Sequence, residues 1–120
     1  MSASETRIKK VARRAKFLLK NEGWIRGAFH GRGATYYGLS GEDPIGYCLS
    51  GAIRQADSSL AGDFPRLRFQ VEGRVSNLLS GWSITLWNDR SHRKKADVIR
   101  VLDEVIKGRG KTQFKKPLIP

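Results

Sequence analysis

The side chains best suited to chemistry are few and scattered in this sequence: two histidines, His30 and His92, one cysteine, Cys48, and the Asn88-Asp89 pair. An acid–base or hydrolytic centre needs two titratable groups held within reach of one reacting atom. Asp89 has His92 nearby, but neither a second carboxylate nor a second histidine at a useful spacing, so a hydrolase acting through Asp89 and His92 is the weakest reading. Asn and Asp side chains bond nearby backbone N–H groups, and a helical pattern begins directly after this pair, which favours a capping role. His30 lies in His30-Gly31-Arg32-Gly33 without a ligand partner at metal spacing and reads as a surface turn residue. The same Gly-x-Gly lacks both the wider glycine spacing of a dinucleotide loop and the Gly-Lys-Ser/Thr of a P-loop. Cys48 falls on the apolar stripe of a predicted helix, where a buried structural thiol is expected rather than a nucleophile. A single cysteine makes no intrachain disulfide, in keeping with a reducing compartment. No cofactor or metal is implied, and the chain reads as non-enzymatic.

What the sequence offers instead is positive charge. The 120 residues carry 23 Lys/Arg against 11 Asp/Glu, a net +12. Its distribution matters more than its size. Residues 1–20 hold seven cations against Glu5 (+6), residues 90–120 hold ten against Asp97, Asp103 and Glu104 (+7), and residues 21–89 hold six against seven acids (−1). Concentrated Lys and Arg displace condensed counterions from phosphates, which is the footprint of a nucleic-acid or ribonucleoprotein partner. The candidate phosphate-binding residues are Lys9, Lys10, Arg13, Arg14, Lys16 and Lys20 near the N-terminus, Arg90, Arg93, Lys94 and Lys95 before the last helix, and Lys111, Lys115 and Lys116 beyond it. No apolar run approaches the roughly 20 residues of a membrane span, and residues 1–10 lack the apolar stretch of a secretory signal, so a soluble cytoplasmic protein is expected.

The elements that must position these cations follow from periodicity. Ile8, Val11, Ala12, Ala15, Leu18 and Leu19 recur at spacings of three and four, which predicts a helix over Thr6–Asn21 with the cations on its other face. Phe17 lies among those cations, and packing against a further element is expected over stacking on a base or under an arginine. Glycines at 23, 27, 31, 33, 38 and 41 between Trp24, Phe29, Tyr36 and Tyr37 predict a loop, with a short hairpin over Ile25–Tyr37. Asp43 and Pro44 suit the start of a second helix carrying Ile45, Cys48, Leu49, Ala52, Ile53 and Ala56. Asp63 and Pro65 suit the start of a third, with Phe64, Leu67, Val71, Val75 and Leu78 as its stripe. Leu67, Phe69 and Val71 also alternate as a strand would, but the longer window favours helix.

Gly81–Asp89 holds Trp82 and Trp87 around Ile84 and Leu86 and is expected to be a buried connector. A fourth helix is predicted from Asp89 or Ser91, with Val98, Val101, Leu102, Val105 and Ile106 inward and Gly108 and Gly110 at its end. The expected fold is mainly α: one compact domain of about four helices over residues 1–110, with a Gly/aromatic loop or short hairpin between the first two. Residues 111–120 are expected to be a flexible basic tail, unless Phe114, Leu118 and Ile119 dock.

Three short motifs stand in order: Glu22-Gly23-Trp24, then Tyr47-Cys48-Leu49-Ser50-Gly51-Ala52, then Trp87-Asn88-Asp89 followed by Val98, Leu102 and Asp103. Together they resemble a family of small uncharacterised bacterial and phage proteins known as a domain of unknown function, over about residues 8 to 107. The resemblance implies no activity or ligand, and the strongly basic ends depart from its pattern. Two functions are expected in turn: a binder of nucleic acid or of a ribonucleoprotein, and a phage-type accessory or inhibitor protein whose basic ends meet an acidic surface of a host protein complex.

Overall fold

The computed structural model describes residues 3–27, 46–60 and 66–120. Among the described residues five helices follow in order, α1 (Ala3–Glu22), α2 (Leu49–Leu60), α3 (Arg68–Leu78), α4 (Ile84–Asn88) and α5 (Lys95–Ile106), and there is no strand. The mainly helical expectation is met. The loop or hairpin expected over Ile25–Tyr37 lies for the most part outside the described residues.

α1 buries all six residues of its predicted stripe, and it packs chiefly on α2 and α5. Its last turn is closed by Asn21, whose Nδ2 donates to the Phe17 carbonyl at 2.8 Å, and Gly23 then turns the chain at φ +104°. α5 buries Val98, Val101, Leu102 and Val105, and α3 buries Val71, Val75 and Leu78 beneath Leu67. The helix opens at Arg68, just past Leu67, and its 71/75/78 spacing decides the strand-or-helix ambiguity in favour of helix, while Asp63, Phe64 and Pro65, expected to begin it, lie outside the described residues. Gly73 sits on the outer side of α3 with open space where a Cβ would stand.

Helix two starts later than its sequence suggests. Asp43 and Pro44 lie outside the described residues, but Gly46, Tyr47 and Cys48 are not helical and the helix opens at Leu49. Trp24 and Tyr47 instead form a parallel bridge, in which Ile25 N donates to Tyr47 O and Tyr47 N to Gly23 O, each at 3.0 Å. Gly46 allows this approach: a Cβ there would stand 2.8 Å from the carbonyl carbon and oxygen of Gly23. The start of α2 is capped from two sides. Cys48 Sγ accepts from Gly51 N at 3.3 Å, and Leu49 N donates to Asn88 Oδ1 at 3.0 Å. Burial pushes the Cys48 thiol above its ordinary value, so it stays neutral, as a structural thiol should.

Asn88 is therefore a cap, but for α2 rather than for the helix that follows it. Its Oδ1 also accepts from Trp24 Nε1 at 2.7 Å, and its Nδ2 donates to Ile25 O at 3.1 Å and to Asp89 Oδ1 at 2.9 Å. Asp89 Oδ1 in turn accepts from Gly27 N at 3.0 Å. One buried amide thus joins the ends of α1, α2 and α4, bringing Trp24, Tyr47-Cys48-Leu49 and Trp87-Asn88-Asp89 to a single junction.

The 81–89 connector is only half buried. Trp87 is fully enclosed and donates from Nε1 to Ile119 O at 2.7 Å, whereas Trp82 is 40 % exposed and Leu86 71 % exposed. A five-residue helix has one inward face, and Trp87 and Asn88 occupy it. α5 likewise opens at Lys95 rather than after Asp89 or Ser91, with Lys94 N bonded to Asp97 Oδ2 at 3.1 Å.

The expected flexible tail is docked by the body. Phe114 N and Leu118 N each donate at 2.8 Å to carbonyls of the last turn of α3, Asn77 O and Leu78 O, while Asn77 Nδ2 donates to Gly110 O at 2.8 Å. Phe114, Leu118 and Ile119 pack against the core. Four carbonyls at a helix end lack intrahelical donors, and residues 110–118 supply two of them at α3.

Candidate nucleic-acid interface

α1 and α5 run side by side, so the basic edge of α1 meets the outer face of α5. Lys16 Nζ lies 2.6 Å from Asp103 Oδ1, and Lys95 Nζ donates to the Lys20 carbonyl at 3.4 Å. Between them lies an open groove of about 430 Å³ lined by Lys20, Lys95, Ala96, Ile99, Arg100 and Asp103. Among the described residues its one carboxylate, Asp103, is already paired with Lys16, and Lys20, Lys95 and Arg100 stand there without an acidic partner around an apolar floor of Ala96 and Ile99. Such a shelf suits a polyanion with a flat apolar part.

The sequence-predicted cations divide by where the fold places them. Lys10 and Arg13 are exposed on α1 and, among the described residues, have no ion-pair partner. Arg14 stacks over the Phe17 ring at 4.8 Å. Phe17 is 49 % exposed, and among the described residues it lies under an arginine rather than against a further element of the core. Lys9 sits beside the Gly108 turn and Glu5. That corner is ordered by Glu5, buried and paired with both terminal nitrogens of Arg74, and Arg74 holds its carboxyl below the usual range. Lys111 adds to the same positive field around Glu5.

Arg93 leaves the candidate set. Its side chain is buried, its Nε donates to Trp87 O at 2.9 Å, and its guanidinium carbon lies 3.8 Å from the Trp87 ring centre, so it serves the core. Burial lowers its pKa, with Asp97 opposing at 3.5 Å. Arg90 stacks on Trp82 at 5.0 Å, and Lys94 is exposed. Lys115 and Lys116 point outward from the docked tail, where Ser80 Oγ donates to Lys115 O at 3.0 Å. Arg100 was missed in the sequence because it lies beyond the Arg90–Lys95 cluster; only the packing of α1 on α5 brings it beside Lys20.

Among the described residues no group of three or more His, Cys, Asp or Glu side chains is placed to hold a metal ion, and no helix is long and apolar enough to cross a membrane. His92 is not poised against Asp89: its Nε2 lies 3.2 Å from the Pro120 carbonyl, while Asp89 Oδ1 is taken by Gly27 and Asn88.

No curated protein and no solved structure matches the chain. One family pattern does match, over residues 3–108, which takes in all five described helices and stops short of the docked C-terminal segment. The chain belongs to the family of unknown function DUF6197.

Proposed function

We propose that this protein is a non-enzymatic binder of nucleic acid or of a nucleic-acid-containing complex, and that it binds on the shelf formed by α1 and α5. The observation that carries this reading is the convergence of Lys20 from one helix and Lys95 and Arg100 from another on one open groove, with Lys10 and Arg13 exposed further along α1. Cations drawn from sequence-distant helices to one face are positioned charge, not a statistical excess.

Five phosphate contacts by Lys10, Arg13, Lys20, Lys95 and Arg100 would give a slope of log affinity against log salt of about −3.5 on a single strand and about −4.5 on a duplex. Binding titrations at several salt concentrations test it, with Lys20→Glu combined with Lys95→Glu expected to flatten the slope. A salt-independent affinity sinks the reading. A second reading, docking to an acidic protein surface, is favoured by the exposed Leu86 and by the half-exposed Trp82 with Arg90 stacked on it. Recovery of partners from a lysate with and without nuclease separates the two, since only a nucleic-acid-mediated partner is lost on digestion.

A further inference from the structure

We infer that the nucleic acid this surface takes is single-stranded, with a base stacked on Phe17. The inference rests on the proposed function and names its substrate class. Phe17 is a large apolar ring left half exposed in the middle of a basic helix face, where burial would have been the stable outcome had a packing partner existed. Arg14 covers one side of it at 4.8 Å, so the remaining exposure is open to a flat partner. Lys10, Arg13 and Lys20 stand seven and four residues before it and three after it, and they spread charge along about 15 Å of helix, room for a few nucleotides.

An aromatic platform set among backbone-tracking cations is the combination by which unpaired bases are held. A duplex keeps its base faces stacked inside and offers this ring only phosphate and sugar. The pattern recurs on the surface: Phe69, 68 % exposed, lies 4.7 Å from Arg68, and Trp82 lies 5.0 Å from Arg90. Phe17 is singled out because it stands three residues, about one helical turn, before Lys20, the α1 cation that lines the groove. Its ring is also the one among the three that belongs to a long helix with an uninterrupted basic face.

The test is fluorescence anisotropy of a labelled oligothymidine and of a duplex of equal length, at matched salt, on the parent, Phe17→Ala and Phe17→Trp, with thermal melts of each. The parent should prefer the single strand. Phe17→Ala should weaken it about 5- to 140-fold, the span of base–aromatic stacking, without changing the salt slope and with little change in melting temperature, because the ring carries no charge and is not packed on the core. Phe17→Trp should keep the affinity and show quenched fluorescence when bound. Equal affinity for single strand and duplex together with a neutral Phe17→Ala overturns the inference while leaving the polyanion reading in place. Absence of salt-dependent binding to either oligonucleotide overturns both. Should Phe17→Ala melt early, the tryptophan variant decides: unquenched fluorescence on saturation with oligothymidine refutes stacking.

Discussion

Asn88→Ala should be among the most damaging single substitutions of a polar residue in this protein, and the loss can be worked from the junction it holds. The variant removes the acceptor of Leu49 N, which is buried, and of Trp24 Nε1, which is half-buried, together with the donor to Ile25 O. A buried polar group left without a partner costs about 1–3 kcal/mol, toward the low end where water can reach it. With Leu49 N at the high end and the other two near the low end, the sum is about 5 kcal/mol, a large share of the roughly 5–15 kcal/mol that holds a domain of this size. At about 4 °C per kcal/mol the thermal midpoint should fall by about 20 °C. Urea and thermal melts followed by far-UV circular dichroism would measure it. Asn88→Asp sharpens the test. It keeps an acceptor for Trp24 and Leu49 but sets a second carboxylate oxygen against Ile25 O and Asp89, which raises the folded-state pKa of the new acid. Its protonated form can still donate, so its defect should be smallest near pH 4 and grow as pH rises through the folded-state pKa. A loss under about 1 kcal/mol for Asn88→Ala, with no pH dependence for Asn88→Asp, would refute the claim that this amide ties three helix ends together.

The remaining expectations separate core from surface. Trp87→Ala should cost about 3–5 kcal/mol by loss of a fully buried ring, while Trp82→Ala should cost under about 1 kcal/mol; equal losses in urea melts would contradict the assigned burial. Gly73→Ala should stabilise by about 0.5–1 kcal/mol, since the added methyl meets open space in a helix interior, and a lowered urea midpoint would count against that geometry. Arg74 holds the Glu5 carboxyl below its ordinary value, so the pair contributes stability above the unfolded pKa near 4.5 that is lost as pH falls through the lower folded one. Glu5→Gln should remove that acid-side slope from a series of urea midpoints. Deleting residues 111–120 should cost about 3–5 kcal/mol, from three partly buried apolar side chains and an orphaned Trp87 indole, and an unchanged melting temperature would return the segment to the status of a tail.

What could be read from the sequence and what could not differ in one physical respect. Helix faces were legible because burial at spacings of three and four is set within a few residues: the α1 stripe from Ile8 to Leu19, the 67/71/75/78 stripe and the α5 valines all lie inward as their periodicity requires. Aromatic size, by contrast, says that a ring gains from burial without saying that a partner is present. Phe17 and Trp82 depart from expectation for that reason, since each stacks with an arginine instead of entering the core. The other departures fall at helix ends. Four N–H groups at the start of a helix and four carbonyls at its end must find partners that the helix itself cannot supply, and nothing local dictates where those partners come from. Leu49 N takes Asn88, 39 residues on. Asn77 and Leu78 carbonyls take Phe114 and Leu118. The groove is a further case of the same kind, because Arg100 and Lys20 belong to one site only after α5 has packed along α1. The charge pattern of the two ends already pointed to a polyanion, but a site is a relation between elements. The residues that test it, Lys20 and Lys95, are therefore those whose nearness depends on the fold being right.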